Sequence, residues 1–487
     1  MKKEHISPDF AILTVPSSME GLPLALALQS EGYDVVVALM SERKAEPEEH
    51  AGESFPSVVL RRRLQHFVGD GLIEKVDADK LDVSPETIAI FDFNYGLKYA
   101  EELKEKGIKG ILTPPWAHRL EHDRAYATDF VRQHYPQLYL PEEVDFPEGS
   151  VDAIWEFINW SDDFWVIKPN SNELHVFVAT GDKEGYLAEA ESYLKEDEKE
   201  LNAVTIQLQQ KIYGYECVVE TWYREGRAIL SNVDIELKNQ FSGDLPPATG
   251  CAGDLVFTIP PGSKLREITN KPFDRFAQQQ NFTGLMDAGV IFSARTGRAY
   301  FLEFCPARFG YNCLYAFLDK LRGRIGEFFR WAVLGQQGSE FPTPSDFSAS
   351  VRIFDAAHYG NLLHRLEEEQ VSFRELMLGE PSSVWLWDVM KRDNKLFVVG
   401  ANPNVAIVSA SAPSAETALS RVKDLAKLVK FEGAYFRWDI DAREGLYSML
   451  NRLDYLTGGD LLSTRTKRIG RETSARGERE LVEVGSR

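Results

Sequence analysis

A chain of 487 residues, 44% apolar and 27% charged, has the composition of a soluble globular protein of about three domains and excludes a fibrous or disordered one. Its net charge of -20, from 55 Lys and Arg against 75 Asp and Glu, disfavours nonspecific attraction to nucleic acid or to an anionic membrane, so an anionic substrate would need a local basic pocket. Four cysteines (Cys217, Cys251, Cys305, Cys313) without CxxC or zinc spacing, no apolar run of about 18 residues, and the polar start MKKEHISPDF argue against a disulfide framework, a membrane span and a signal peptide, and for the cytoplasm.

The first segment alternates between strand and helix patterns: FAILTV, an apolar-periodic stretch from Leu22 to Gln29, YDVVVALM, TIAIFDF, a helix over Leu97 to Lys106, and KGILTP. Such βα alternation predicts a parallel sheet covered on both faces, with ligands at the carboxyl ends of its strands, near Pro16 to Glu20 or Asp92 to Gly96. Pro114-Pro115 ends this domain (1-115). In the next (116-339), FWVIKPN (164-170) and HVFVAT (175-180) read as a hairpin, and Tyr186 to Leu194 as a solvated amphipathic helix. The runs VTIQLQ, ECVVETWY, RAILSNVDIEL, GVIFSA and AYFLEF predict antiparallel strands of an α+β domain, closed by a long helix over Leu314 to Leu334.

Pro342 and Pro344 mark Glu340 to Ser345 as a linker. A small β-rich domain (347-455) follows, with ASVRIF, SVWLWDV, LFVVGA, VAIVSA, a helix over Ala415 to Leu428 and the strand-like GAYFRWDI. Residues 456-487, dense in Arg and Glu, read as a disordered tail open to a protein partner. The fold class expected is therefore a multidomain chain combining α/β and α+β parts.

Five local features could carry chemistry. In YFLEFCPARFGYN (300-312), Glu303 is a carboxylate in an otherwise apolar strand; alternation puts it on one face with Phe301 and Cys305, opposite Tyr300, Leu302 and Phe304. Burial there would require a cation, either a metal ion or Arg308, though packing alone would also explain such a pair. Lys168 ends the strand FWVIK, either snorkelling or aimed at an anion. Asn232 to Lys238 sets Asp234, Glu236 and Lys238 on one strand face, ordinarily a solvated one unless it looks into the cleft of Glu303. ATGCAGD (248-254) reads as a Gly-containing loop able to present N–H groups to an anion, or as an ordinary turn. Gln210 to Glu216 joins two strands, with Gly214 at the turn.

Taken in order, these pieces resemble the ATP-grasp superfamily, most closely the phosphoribosylamine-glycine ligase (glycinamide ribonucleotide synthetase) family, from near the start to about Asp441. VIKPN is similar to that family's VIK strand, and FTGLMDAGVIFSARTGRAYFLEFCPARFG to its TGxxYAG and IEFNxRFGDPE region. ATGCAG is similar to its NTGGMG loop and FEGAYFRWDI to its YRxDIG segment. The resemblance implies a central ATP-grasp domain, ATP and Mg²⁺, small-molecule carboxylate and amine substrates, an acyl phosphate, and a place in purine biosynthesis. By position it implies Lys168 and Arg308 as catalytic, with Arg124, Lys168, Gln210, Lys211, Ile212, Glu216 and Lys238 on ATP. Thr249, Gly250 and Arg308 would contact substrate, and Glu303 would ligate Mg²⁺.

The chain departs from the family at Val15 to Glu20, where a Gly-rich start is absent, and at Asn170 to His175, where no Gly follows Lys168. It departs again at Cys305, which replaces a metal-binding Asn, at Gln210, which replaces a Glu, and at Gly310 to Cys313, which replaces GDPE. A relative that keeps the fold as a binding module is the alternative these departures raise.

Overall fold

The computed structural model describes residues 7–41, 63–170, 174, 176–178, 182–306, 312–335, 341, 347–356, 358, 373–379, 383–459 and 461–462. The first segment forms β1 (Phe10–Thr14), β2 (Val35–Leu39), β3 (Glu74–Asp77), β4 (Ile88–Phe91) and β5 (Lys109–Ile111), all but the polar β3 from the runs expected. They make a parallel sheet in the order β3-β2-β1-β4-β5. Phe10 and Ile12 pack with the helix Leu22–Ser30 on one face, and Leu13 and Phe91 with the helix Leu97–Glu105 on the other. Covered on both sides, β1 and β4 are buried throughout, which is why they read as continuous apolar runs.

A second, antiparallel sheet joins β6 (Glu143–Phe146), β7 (Trp165–Pro169) and β8 (Ile206–Gln210) in the order β6-β8-β7. The helix Lys183–Glu196 packs beneath it through Tyr186, Tyr193 and Leu194, and the Tyr186 hydroxyl donates to Trp165 O at 3.1 Å. Its inner face is therefore core rather than a solvated surface. The expected hairpin partner of β7 contributes one bridge, Phe177 to Ile167; residues 175, 179 and 180 lie outside the described residues.

The large sheet is built from β9 (Gly214–Arg224), β10 (Arg227–Phe241), β11 (Leu245–Ile259), β12 (Gly284–Ser293), β13 (Ala299–Phe304) and β14 (Phe347–Asp355). The chain goes on through β15 (Arg374–Leu376), β16 (Val384–Leu386), β17 (Val389–Arg392), β18 (Lys395–Val398), β19 (Asn404–Ala412) and β20 (Ala434–Tyr435). The large sheet runs β13-β12-β9-β10-β11-β14-β19-β16, with β20 beside β14, while β15, β18 and β17 form a small separate sheet. Strands on both sides of the proline-rich segment 340–345 thus share one sheet, since Gly253 of β11 pairs with Val351 of β14. That segment lies outside the described residues except for Phe341, as does the tail beyond Leu462.

Four local expectations are corrected. ATGCAGD is not a loop but part of β11. Between the pairs Leu237↔Gly253 and Asn239↔Ala248 this strand carries surplus residues, and they bulge out with Gly250 at φ 77°. Gly214 opens β9 rather than making a turn, because a side chain there would strike the Phe292 carbonyl. The stretch from Leu314 to Leu334 is two helices, Asn312–Asp319 and Ile325–Leu334, broken at a turn where Gly323 has φ 77°. Of GAYFRWDI only Ala434–Tyr435 pairs as strand.

Candidate active-site cleft

The small sheet faces the large one across a cleft, and the sequence at both walls is charged. On the small sheet, Lys168 is half-buried at the end of β7, with its Nζ donating to Gln209 Oε1 at 2.6 Å; Gln209 Nε2 in turn donates to Glu143 Oε1 at 3.0 Å. Burial pushes the Lys168 pKa down to about 8; the nearby Arg124 guanidinium adds to this, and Glu303 and Glu143 oppose it. Arg124 opens the helix Arg124–His134, which Asp123 caps through the Tyr126 N–H at 3.0 Å, and its Nη1 donates to Pro169 O at 3.1 Å. Desolvation lowers the Arg124 pKa while the Glu303 charge acts against it.

On the large sheet, Glu303 is exposed rather than buried, so it carries no desolvation penalty that a cation must offset. The expected alternation fails beside it. Gly289 pairs with Glu303 and Val290 with Phe301, leaving Leu302 in a bulge. Phe301 and Phe304 therefore both enter the core, their rings 4.6 Å apart, while Glu303 turns to the cleft. Arg308 lies outside the described residues.

A cavity of about 80 Å³ lies against this wall, lined by Glu303, Cys305, Gly250 and the β10 stripe Asp234, Glu236 and Lys238. That stripe is not a solvated face: Asp234 is buried, and Lys238 is ion-paired with Glu216 and lies 3.6 Å from Glu236. Burial alone would lower the Lys238 pKa, but Glu216, Glu236 and Glu303 together hold it well above the usual range. Thr249 Oγ1 donates to Lys238 O at 3.0 Å, which ties the β11 bulge to the same wall. Gln210 ends β8, and its N–H donates to Glu142 O at 2.8 Å; the Lys211 N–H donates to Phe164 O at 2.7 Å, and Ile212 follows between the two sheets.

Among the expected residues, Arg124, Lys168, Glu216, Lys238, Thr249, Gly250 and Glu303 thus converge on one cleft, with Gln210 to Ile212 at the junction of its walls. Three acids were missed: Glu220, Asp254 and Asp287. Asp287 lines the cavity, and cross-strand pairing sets the other two behind its wall, since Asp287 stands opposite Glu220 and Glu236 opposite Asp254. Burial pushes the Glu220 carboxyl up to about 7 and raises Asp254 well above the usual range.

Among the described residues no group of three or more His, Cys, Asp or Glu converges as metal ligands, and no helix is long and apolar enough to cross a membrane. A Mg²⁺ that arrives on a nucleotide needs only one or two protein carboxylates besides phosphate oxygens. Glu303 and Asp287, both lining the cavity, meet that requirement; the Cys305 thiol does not supply the oxygen a hard cation prefers.

A parallel βα sheet followed by a small antiparallel sheet and a large one is the arrangement of the ATP-grasp fold. The chain has this fold. It is similar to the crystal structure of phosphoribosylamine-glycine ligase from Thermotoga maritima, with a TM-score of 0.61 at 16% identity, covering 88% of this chain and 99% of that one. It is also similar to the biotin carboxylase domain of the Hydrogenobacter thermophilus 2-oxoglutarate carboxylase in complex with MgADP and bicarbonate (TM-score 0.55, 11% identity, 93% and 99% covered). The Campylobacter jejuni biotin carboxylase bound to a β,γ-ATP compound gives 0.52 at 11% identity, with 93% and 98% covered. No protein-family model matches the chain, and no curated protein does.

Proposed function

We propose that this chain is an ATP-dependent carboxylate-amine ligase working through an acyl phosphate. The observation that carries the reading is the opposition of Lys168 and Arg124 to Glu303 across one cleft. In the reaction, a carboxylate oxygen of the acid attacks the γ-phosphorus of ATP and the bond to the bridging oxygen breaks, releasing ADP. The amine nitrogen then attacks the acyl carbon, phosphate leaves, and the nitrogen loses a proton.

Lys168 binds phosphoryl oxygens with its ammonium, oriented by Gln209, and Arg124 adds a second cation at the same edge. Glu216 holds a ribose hydroxyl and is itself fixed by Lys238. With the Gln210 and Lys211 N–H groups already donating within the protein, an adenine edge meets the carbonyls of this segment and the Ile212 backbone. Glu303 and Asp287 would hold Mg²⁺, which when bound neutralises charge on the transferring phosphoryl group. Thr249 and Gly250 shape the acceptor side of the cavity, and Arg308 binds an anionic group of nucleotide or acid.

The finer role, joining glycine to phosphoribosylamine in purine biosynthesis, is tested by the same experiment as the class. MgATP is supplied with pairs of carboxylic acids and amines, including that pair, and ADP release is followed. Acid- and amine-dependent ADP release that Glu303→Ala removes is the expected result. No release with any pair, together with no Mg²⁺-dependent ATP binding by calorimetry, would sink the reading.

A further inference from the structure

Two features of the molecule bear on the acceptor amine, and the inference from them rests on the ligase reading above. The first lies at the carboxyl end of the parallel sheet. Backbone N–H groups at the head of a helix are ready donors to a phosphate. Here the head of the helix Leu22–Ser30 already serves an internal acceptor: the Asp92 carboxyl, fully buried, accepts the Gly21 N–H at 2.8 Å and the Glu20 N–H as well. The Ser18 and Met19 N–H groups donate to Val15 O at 3.2 and 3.1 Å. The loop's carbonyls are pinned too, with the Tyr315 hydroxyl donating to Glu20 O at 2.7 Å and Trp387 Nε1 to Ser18 O at 2.8 Å. A phosphate arriving there would have to compete with the built-in Asp92 carboxyl for the same donors.

The second is the cavity beside Glu303. Asp234 lines it, is 1% exposed, and both its carboxyl oxygens lack a hydrogen-bond partner among the described residues. The donors nearby are engaged elsewhere: Ser350 N and Oγ donate to Asp254 Oδ1 at 2.9 and 2.6 Å, and Lys238 is shared by Glu216 and Glu236, while of these acids Asp234 alone has both oxygens without a partner among the described residues. A buried carboxyl with no partner costs free energy that a bound donor would recover. Among the described residues no three of these acids converge as metal ligands, whereas an ammonium needs only one carboxylate to pair with. Val218, Gly250, Gly289 and Cys313 add lining without charge, room for an alkyl arm.

We propose that the acceptor substrate is an unphosphorylated amine bearing a second, non-reacting ammonium group, and that this group seats on Asp234 within the acidic cavity. Burial, then repulsion by Asp254 and Glu236, holds the empty Asp234 carboxyl well above its usual range. An ammonium beside it restores the ionised form.

The test is calorimetric titration of the full chain with 1,3-diaminopropane, propylamine and phosphoethanolamine. The diamine is expected to bind at least about tenfold tighter than propylamine, a difference of about 1.4 kcal/mol, and phosphoethanolamine least tightly. Asp234→Asn, which matches the shape of the neutral acid, should remove the preference while keeping the melting temperature; Asp254→Asn, as a second variant, should weaken it. Equal affinity for the diamine and propylamine, tightest binding of phosphoethanolamine, or a preference unchanged in both variants would overturn the inference. So would displacement of the diamine by Mg²⁺ alone in an Asp234-dependent way, since the seat would then be a metal site. Loss of MgATP binding with the diamine preference intact would instead overturn the ligase reading and support the ammonium seat.

Discussion

Lys168 Nζ donates to Gln209 Oε1 at 2.6 Å, so the one cation on β7 is held by a side chain of the adjacent strand β8. Its pKa of about 8 means the ammonium is present at neutral pH and lost as pH rises through 8. If it binds phosphate, ATP affinity measured by calorimetry falls between pH 7 and 9.5. In Lys168→Met the affinity is weaker at pH 7, by about tenfold to a hundredfold for a charged hydrogen bond, and its pH dependence over that interval is lost.

Glu303→Gln separates chemistry from stability. Because Glu303 is exposed, its neutralisation should move stability by no more than about 0.5 kcal/mol. Losing a carboxylate that holds a phosphoryl-neutralising cation should cost about 10²-fold in ADP release. Raised Mg²⁺ should partly restore the rate. A melting curve together with a Mg²⁺ titration of the rate checks both, and a large drop in stability would show that Glu303 is structural.

Lys168 and Glu303 were legible because each sits in a short apolar strand where a single charge is conspicuous. Glu220, Asp254 and Asp287 were not, because their meaning lies in register between strands far apart in sequence: β12 pairs with β9, not only with β13, and no local pattern carries that pairing. ATGCAGD was misread for a physical reason as well. Gly at positive φ marks a turn and a bulge alike, and only the β10 ladder decides which. The parallel sheet was legible at β1, β2 and β4, where burial writes continuous apolar runs, whereas the edge strand β3, EKVD and half-exposed, carries no such run and was not read. The continuation of the large sheet into β14 and β19 was hidden behind two prolines that read as a boundary.

Asp92 gives a pH-dependent stability whose sign can be fixed. Burial raises its carboxyl from the model-compound value of 3.8 to about 7 against hydrogen bonds from Thr14 and Gly21. The folded state therefore holds the proton more tightly than the unfolded one. This group's contribution is full below about pH 4, is lost as pH rises to about 7, and is level above, a span on the order of 4 kcal/mol. Asn at this position keeps an acceptor for the Gly21 N–H without ionising. Asp92→Asn should thus be more stable than the parent at pH 8 and similar near pH 4 in urea titrations; a difference independent of pH would refute the assignment.

Ser350 and Asp254 join the central strands to those of the C-terminal part, through two donors on one carboxylate oxygen in the ladder between β14 and β11. Since the sheet is continuous there, the two regions should unfold together rather than as separate domains. Ser350→Ala removes the hydroxyl donor from a fully buried acid and should cost about 1 to 3 kcal/mol. The midpoint should fall in one step, read equally by fluorescence from Trp222 on β9 and Trp385 on β16 in single-tryptophan variants. Two transitions, with Trp385 released first, would mean that the β11–β14 ladder does not couple the regions and that the proline-rich segment divides the chain energetically as well as in sequence.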